Sequence, residues 1–181
     1  MQLFPFDEDL KHREILPYNP IYKEIFQQVE VIVAKELPDI ELHHIGSTAV
    51  PDLRGKPMID MLAVTTNDAL RELQTKFKKL GFHRREVWTD TDTKPYVCAS
   101  TIFNKERFNL NIHICHADNP LVQDLPAFAE ILNKHPDLRR RYEQAKDKAH
   151  AIDPVNSEVY NKAKEAIILE IQNQFIDKSN T

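Results

Sequence analysis

Glycine is scarce in this chain, with 3 among 181 residues, where ordinary usage of ~7 % gives about 13. Gly46, Gly55 and Gly81 therefore each need a local reason. Cysteine is scarcer still. The spacing of Cys98 and Cys115 matches neither a C-x-x-C redox pair nor a paired-cysteine zinc site, which removes a disulfide scaffold and leaves both as small core residues in a reducing compartment. No run approaches the ~20 apolar residues that would span a bilayer. The opening MQLFPFDEDLKHREI sets Asp7, Glu8 and Asp9 where an export signal needs an apolar stretch. The expected compartment is the cytoplasm, with no membrane partner. A basic excess is missing as well: the net charge of −4 argues against a general nucleic-acid binder.

With 41 % hydrophobic and 29 % charged residues, the chain has the composition of a water-facing fold, and its length fits one domain that buries roughly 70 % of its unfolded surface. Asn19 and Pro20 open a helix whose stripe Ile21, Ile25, Val29, Ile32 runs to Leu37 before Pro38. Leu70, Leu73, Phe77 and Leu80, spaced 3, 4 and 3, mark a second helix from 68 to 80, which Gly81 closes. Residues 40–45, 58–64, 96–103 and 108–115 read as strands, 82–88 as a further candidate, and 104–107 as a hairpin connection. After Asp118 the pattern is helical: Leu125, Phe128, Leu132; then Leu138, Tyr142, Ala145, Ala149, Ile152; then a helix opened by Asp153-Pro154 with Tyr160, Ala163, Ile167, Ile171 and Phe175. The expected fold is α+β, a small mixed β-sheet flanked by helices, with an α/β part over 1–117 and a helical part over 118–176.

Chemistry concentrates in HIGSTAVPDLRGKPMIDMLAV. A helix beginning at Gly46 would aim its unpaired amides and positive end above the preceding strand. Ser47 and Thr48 would add hydroxyls, and Arg54 or Lys56 would neutralise a bound phosphate. The same residues also suit an ordinary strand-to-helix turn. No Walker loop is present, because G-x-x-x-x-G-K-[ST] does not occur.

Asp60 is a lone carboxylate in an apolar strand, so it needs a partner. It fits either a Mg²⁺ ligand at a phosphoryl-transfer site or a buried ion pair with Lys56 or Arg54, or a helix cap. Arg107, Asn109, Asn111 and His113 share one strand face, which can line a cleft or face solvent. His44 and His113 could meet across the sheet, whereas His43/His44 and His113/His116 are spaced wrongly for chelation. Arg139, Arg140 and Arg141 share their helix with Asp137, Glu143 and Asp147 and read as a solvated face.

The segment HIGSTAVPDLRGKPMID is similar to the signature of the GrpB family, small bacterial proteins placed in the nucleotidyltransferase superfamily. The likeness extends to ILPYNPIYKEIF, NIHIC, PAFAEILNKHPDLRRRYEQAK and YNKAKEAII. The resemblance implies a nucleotidyltransferase-like fold, with Gly46 and Ser47 opening a helix over the sheet and Asp60 on the next strand. It also implies a second carboxylate two residues later, where this chain has Leu62, and a third on a later strand, where it has Asn109, Asn111 and His113. Two functions follow. One is transfer of a nucleotidyl or phosphoryl group from an NTP, with Ser47, Thr48, Arg54 and Lys56 on phosphate, Asp60 on Mg²⁺, and His113 as acid, base or polar contact. The other is a non-catalytic module that binds a nucleotide or phosphorylated metabolite without a complete acid set.

Overall fold

The computed structural model describes residues 1–10, 14–84, 92, 94–152 and 157–173. The chain forms β1 (Leu3–Phe4), α1 (Ile21–Glu36), β2 (Glu41–Ile45), a one-turn 3-10 segment (Ser47–Ala49), β3 (Met58–Thr65), α2 (Leu70–Lys79), β4 (Tyr96–Phe103), β5 (Glu106–His116), α3 (Leu121–Lys134), α4 (Pro136–Ile152) and α5 (Ser157–Ile171). The five strands make one mixed sheet in the order β1-β4-β5-β3-β2. β3 and β5 run parallel at its centre, and every other pairing is antiparallel. This is the expected α+β architecture.

Local chemistry explains most boundaries. Asn19 accepts the Ile21 amide through Oδ1 at 3.1 Å, and Asn119 does the same for Leu121 at 3.0 Å, each followed by a proline that needs no amide partner in the first turn. Gly81 takes φ +102° behind α2, as a left-handed closing residue should. The β4–β5 connection is tighter than the four residues expected: Phe103 pairs with Glu106, leaving Asn104 (φ 50°) and Lys105 (φ 68°) as a two-residue turn. Positive φ at both central positions matches the right-handed twist of the flanking strands. The candidate strand over 82–88 lies mostly outside the described residues. Only its start is visible, where His83 and Cys98 exchange backbone hydrogen bonds at 2.8 and 2.7 Å. The Asp153-Pro154 opening of the last helix also lies outside them.

Two faces of the sheet are covered. On one, Ile59, Met61 and Ala63 of β3 and Leu110, Ile112 and Ile114 of β5 pack with Ile25, Val29 and Val33 of α1 and Leu70, Leu73 and Phe77 of α2. On the other, Ile45, Leu62, Val64 and Cys115 pack under Leu121, Val122 and Leu125 of α3. A separate apolar cluster joins Val50 and Leu53, just after the 3-10 turn, to Ala129, Leu132, Leu138, Tyr142, Ile167 and Ile171 of the last three helices. The last three helices are thereby tied to the loop that leaves Gly46. Among the described residues no helix is long and apolar enough to cross a membrane.

Candidate functional site

The register of the sheet decides which side chains can meet. Ile45, Asp60 and Asn111 are direct cross-strand partners, as are His43, Leu62 and His113. Residues opposite one another share a face, so Asp60, Asn111 and His113 project together from the side covered by α3. His44 pairs with Met61 and projects the other way, where its ring stacks on Phe26 at 4.9 Å. The expected meeting of His44 with His113 is therefore corrected: antiparallel pairing of β2 puts them on opposite faces.

The expected helix at Gly46 is also corrected. Ser47–Ala49 is a single 3-10 turn whose bonds are Ala49 N–H to Gly46 and Val50 N–H to Ser47, each 3.3 Å, with Val50 already extended. One turn carries no macrodipole worth invoking. What the glycine supplies is close approach. Gly46 sits at φ 74°, ψ −166°, a region open essentially only to glycine, and a Cβ there would lie 3.1 Å from Asp60 Oδ2. Gly55 does the same on the other side of the turn, since its Cβ would stand 2.5 Å from that of Ser47. A pair of backbone exchanges with Leu16 holds Gly55 there, at 2.8 and 2.9 Å. Ser47 is thus packed against Gly55, while Gly46 before it lies against Asp60 near the start of β3.

The last helices complete the surroundings of Ser47. Lys146 of α4, 1 % exposed, points its ammonium at Ser47 Oγ (3.4 Å) and donates to the Arg54 carbonyl. Tyr142 lies one turn earlier on the same helix, close enough to Ser47 and Asp60 for both to act on its hydroxyl. On α5, Tyr160 presents its ring to two further lysines, with Lys56 Nζ 4.2 Å and Lys164 Nζ 4.3 Å from the centroid. These helix residues were not singled out in the sequence. A signal existed: Y-E-Q-A-K and Y-N-K-A-K place tyrosine and lysine four apart on two successive helices, hence on one side of each.

Burial sets the protonation states. Desolvation pulls the Lys146 amine down to about 7, with Lys164 and Arg54 pushing the same way and Glu143 and Asp147 resisting. Desolvation likewise brings Lys164 down to about 8, helped by Lys56 and opposed by Asp60. The Asp60 carboxyl is raised to about 6 by desolvation, against a hydrogen bond from Asn111 and the field of Lys164. Burial lifts Tyr142 to about 12 and lowers His113 to about 4. His113 is therefore a neutral imidazole near pH 7. Asn111 links it to Asp60, donating through Nδ2 to Asp60 Oδ1 at 3.0 Å and lying 3.1 Å from His113 Nε2. Asn111 Oδ1 is buried with no partner among the described residues.

The other expected site residues are placed elsewhere. Thr48, 2 % exposed, gives its hydroxyl to the Met58 carbonyl (3.1 Å) and meets His44 Nε2 at 3.0 Å, so it braces the turn from beneath. Arg54 turns its guanidinium to Asp147 (3.0 Å), while its amide donates to Glu143 at 2.7 Å. The Arg54–Asp147 pair lines a separate surface cavity of about 370 Å³ with Glu14, Leu16 and His150. Asn109, fully buried, holds the backbone of Asp7 by two bonds, 2.9 and 3.0 Å. Asp60 takes its hydrogen bond from Asn111, while Arg54 pairs with Asp147 and Lys56 lies over the Tyr160 ring.

Mg²⁺ asks for a different donor set. Hard divalent ions at phosphoryl-transfer centres take several oxygen ligands, with carboxylates supplying the charge. Among the described residues Asp60 is the one carboxylate on this face of β3 and β5. Leu62, where a second would stand, is sealed under α3, and among the described residues no group of three His, Cys, Asp or Glu side chains could hold a metal. The charge acting on Asp60 is instead the ammonium of Lys164. The residues present do not fit a two-metal centre.

Comparison with known proteins agrees with this architecture. The sequence model of a family described as GrpB protein matches residues 12–174. The UPF0157 protein PA4798 of Pseudomonas aeruginosa is 30 % identical over 165 residues, covering 87 % of this chain and 65 % of that protein. The UPF0157 protein YqkA of Bacillus subtilis is 25 % identical over 159 residues, covering 84 % and 44 % respectively. The chain thus spans under two thirds of the length of either relative. Among solved structures, the conserved protein GrpB from Enterococcus faecalis superposes with a TM-score of 0.64 at 22 % identity, over 87 % of this chain and 98 % of that one. The Cid1 poly(U) polymerase, with Mg 3'-dATP bound, superposes at 0.53 and 13 % identity over 76 % of this chain and 45 % of that one. At such identities the two likenesses establish the fold: it is nucleotidyltransferase-like.

Proposed function

The chain belongs to the GrpB family, and from that premise we propose that it binds the phosphate groups of a nucleotide or phosphorylated metabolite where Ser47 meets α4 and α5. One observation carries the reading: the Ser47 hydroxyl, packed against Gly55, lies 3.4 Å from the ammonium of the buried Lys146. Desolvated ammonium groups favour a close counter-charge, and burial outweighs what Glu143 and Asp147 give Lys146 and what Asp60 gives Lys164. An anion lying over Ser47 Oγ would restore the charge of Lys146 and Lys164 and accept from the serine and Tyr142 hydroxyls.

The test is thermal unfolding with ATP, GTP, CTP, UTP, pyrophosphate and sugar phosphates, each beside its phosphate-free counterpart. Only the phosphorylated members should raise the midpoint, since a ligand at 100 times its Kd adds about 2.7 kcal/mol. Lys164→Met should abolish the shift. Equal shifts from adenosine and ATP would defeat the proposal.

Transfer of a nucleotidyl or phosphoryl group from an NTP is the second reading. It is favoured by the position of Asp60, set against the Gly46–Ser47 turn at the start of β3. It requires product formation in the presence of Mg²⁺ that Asp60→Asn eliminates from folded protein. Binding without product, over a range of acceptors, would leave the first reading alone.

A further inference from the structure

Resting on the phosphate-binding reading above, the inference concerns which cations hold the ligand. Two observations bear on it separately. The first is the poverty of carboxylates: Asp60 is the single one on the β3 and β5 face of the site, and the position two residues on is Leu62, fully buried against Val64, Cys115 and the α3 side chains. The second is the supply of ammonium groups. Lys146 reaches Ser47 from α4, Lys164 reaches the Tyr160 ring from α5, and Lys56 reaches the same ring from the loop before β3. These lysines come from three segments, so their convergence is a property of the tertiary fold.

We infer that the site binds a compound with two or more linked phosphates directly through its own lysines, without a divalent cation. A bound Mg²⁺ neutralises neighbouring phosphate oxygens; here fixed ammonium groups occupy that role. Mg²⁺ added to the solution then competes with the protein for the same oxygens. In this arrangement Asp60 is a negative charge beside an anionic ligand and opposes binding, whereas in a metal-held complex it would be the ligand on which binding depends. The sign of its effect therefore separates the two arrangements.

The experiment is titration calorimetry of the full chain with pyrophosphate and with ATP, once in EDTA and once in excess Mg²⁺, on the native protein and on Asp60→Asn. Asparagine keeps an oxygen that can accept from Asn111 and should preserve the fold, which circular dichroism and the unfolding midpoint would confirm. The expected result is binding in EDTA that is several-fold tighter than in Mg²⁺, and further tightened several-fold by Asp60→Asn. Lys56→Met with Lys164→Met should weaken it by tenfold or more. Binding only in Mg²⁺, with loss in Asp60→Asn, would overturn the inference while leaving the phosphate-binding reading intact. Absence of binding by both compounds in both solutions would overturn that reading too.

Discussion

The two faces of the sheet are built from alternate residues of the same strands, and they have been given opposite tasks. Ile59, Met61 and Ala63 of β3, with Leu110, Ile112 and Ile114 of β5, are all fully buried under α1 and α2. Their neighbours Asp60, Asn111 and His113 face the other way and form a hydrogen-bonded row beside Ser47. Because strand side chains alternate, a residue's face is fixed by parity alone. A central parallel pair can thus carry a sealed core and a polar site with no added structure. The difference lies in the cover: α1 and α2 lay hydrocarbon over the whole of one face, while on the other α3 seals the part around Leu62 and Val64 and α4 and α5 bring Tyr142, Lys146 and Lys164 to the polar part.

Substitutions that exchange these tasks test the comparison. Ile112→Asp should leave the chain unfolded, because a buried charge on the α1 and α2 face has no partner. The milder Ile112→Ala should cost ~2–5 kcal/mol in urea unfolding. Next in size is Gly55→Ala, whose new methyl would meet the Ser47 side chain; overpacking of this kind costs about 1–3 kcal/mol, and phosphate-dependent stabilisation should fall with it. If the lysines are as buried as the geometry shows, titration supplies a smaller signature. Between about 7 and 10.5 the unfolded chain binds more protons at Lys146 than the folded one, so stability should rise as pH rises through that window. Lys146→Met should flatten the rise. Asp60 has the reverse sign, its raised folded pKa making stability fall from 3.8 towards about 6, and Asp60→Asn should remove that fall. The smallest effect belongs to the outer surface of α1, where Val31, 68 % exposed, should accept lysine within ~0.5 kcal/mol. A large loss at Val31, or none at Ile112, would contradict the assignment of faces.

Much of this was legible before coordinates. The helices at Asn19 and Gly81 and the four principal strands follow from caps, spacing and apolar runs, all local signals. The failures share a cause: each depends on which segments become neighbours. Whether His44 meets His113 turns on the antiparallel register of β2, which no spacing within β2 discloses. Thr48 and Asn109 look like ligand-facing polar residues in sequence, yet one is bonded to Met58 and His44 and the other to Asp7, 102 residues away. Tyr142 and Tyr160 sit in stripes that read as core, and the lysines four residues on look like solvated charge until two helices and a loop converge.

The grip of Asn109 on Asp7 has one more consequence. It receives the Asp7 N–H and donates to the Asp7 carbonyl, which is what a neighbouring strand would do. A carboxamide thus stands in for a peptide group, and β-like pairing continues beyond the two residues of β1 without any strand there. That anchor reads only main-chain atoms, while the Asp7 carboxylate separately accepts the Asp9 and Leu10 amides and pairs with Arg107 at 3.4 Å. Changing the side chain at position 7 would therefore loosen the turn that follows and leave the carboxamide clasp in place.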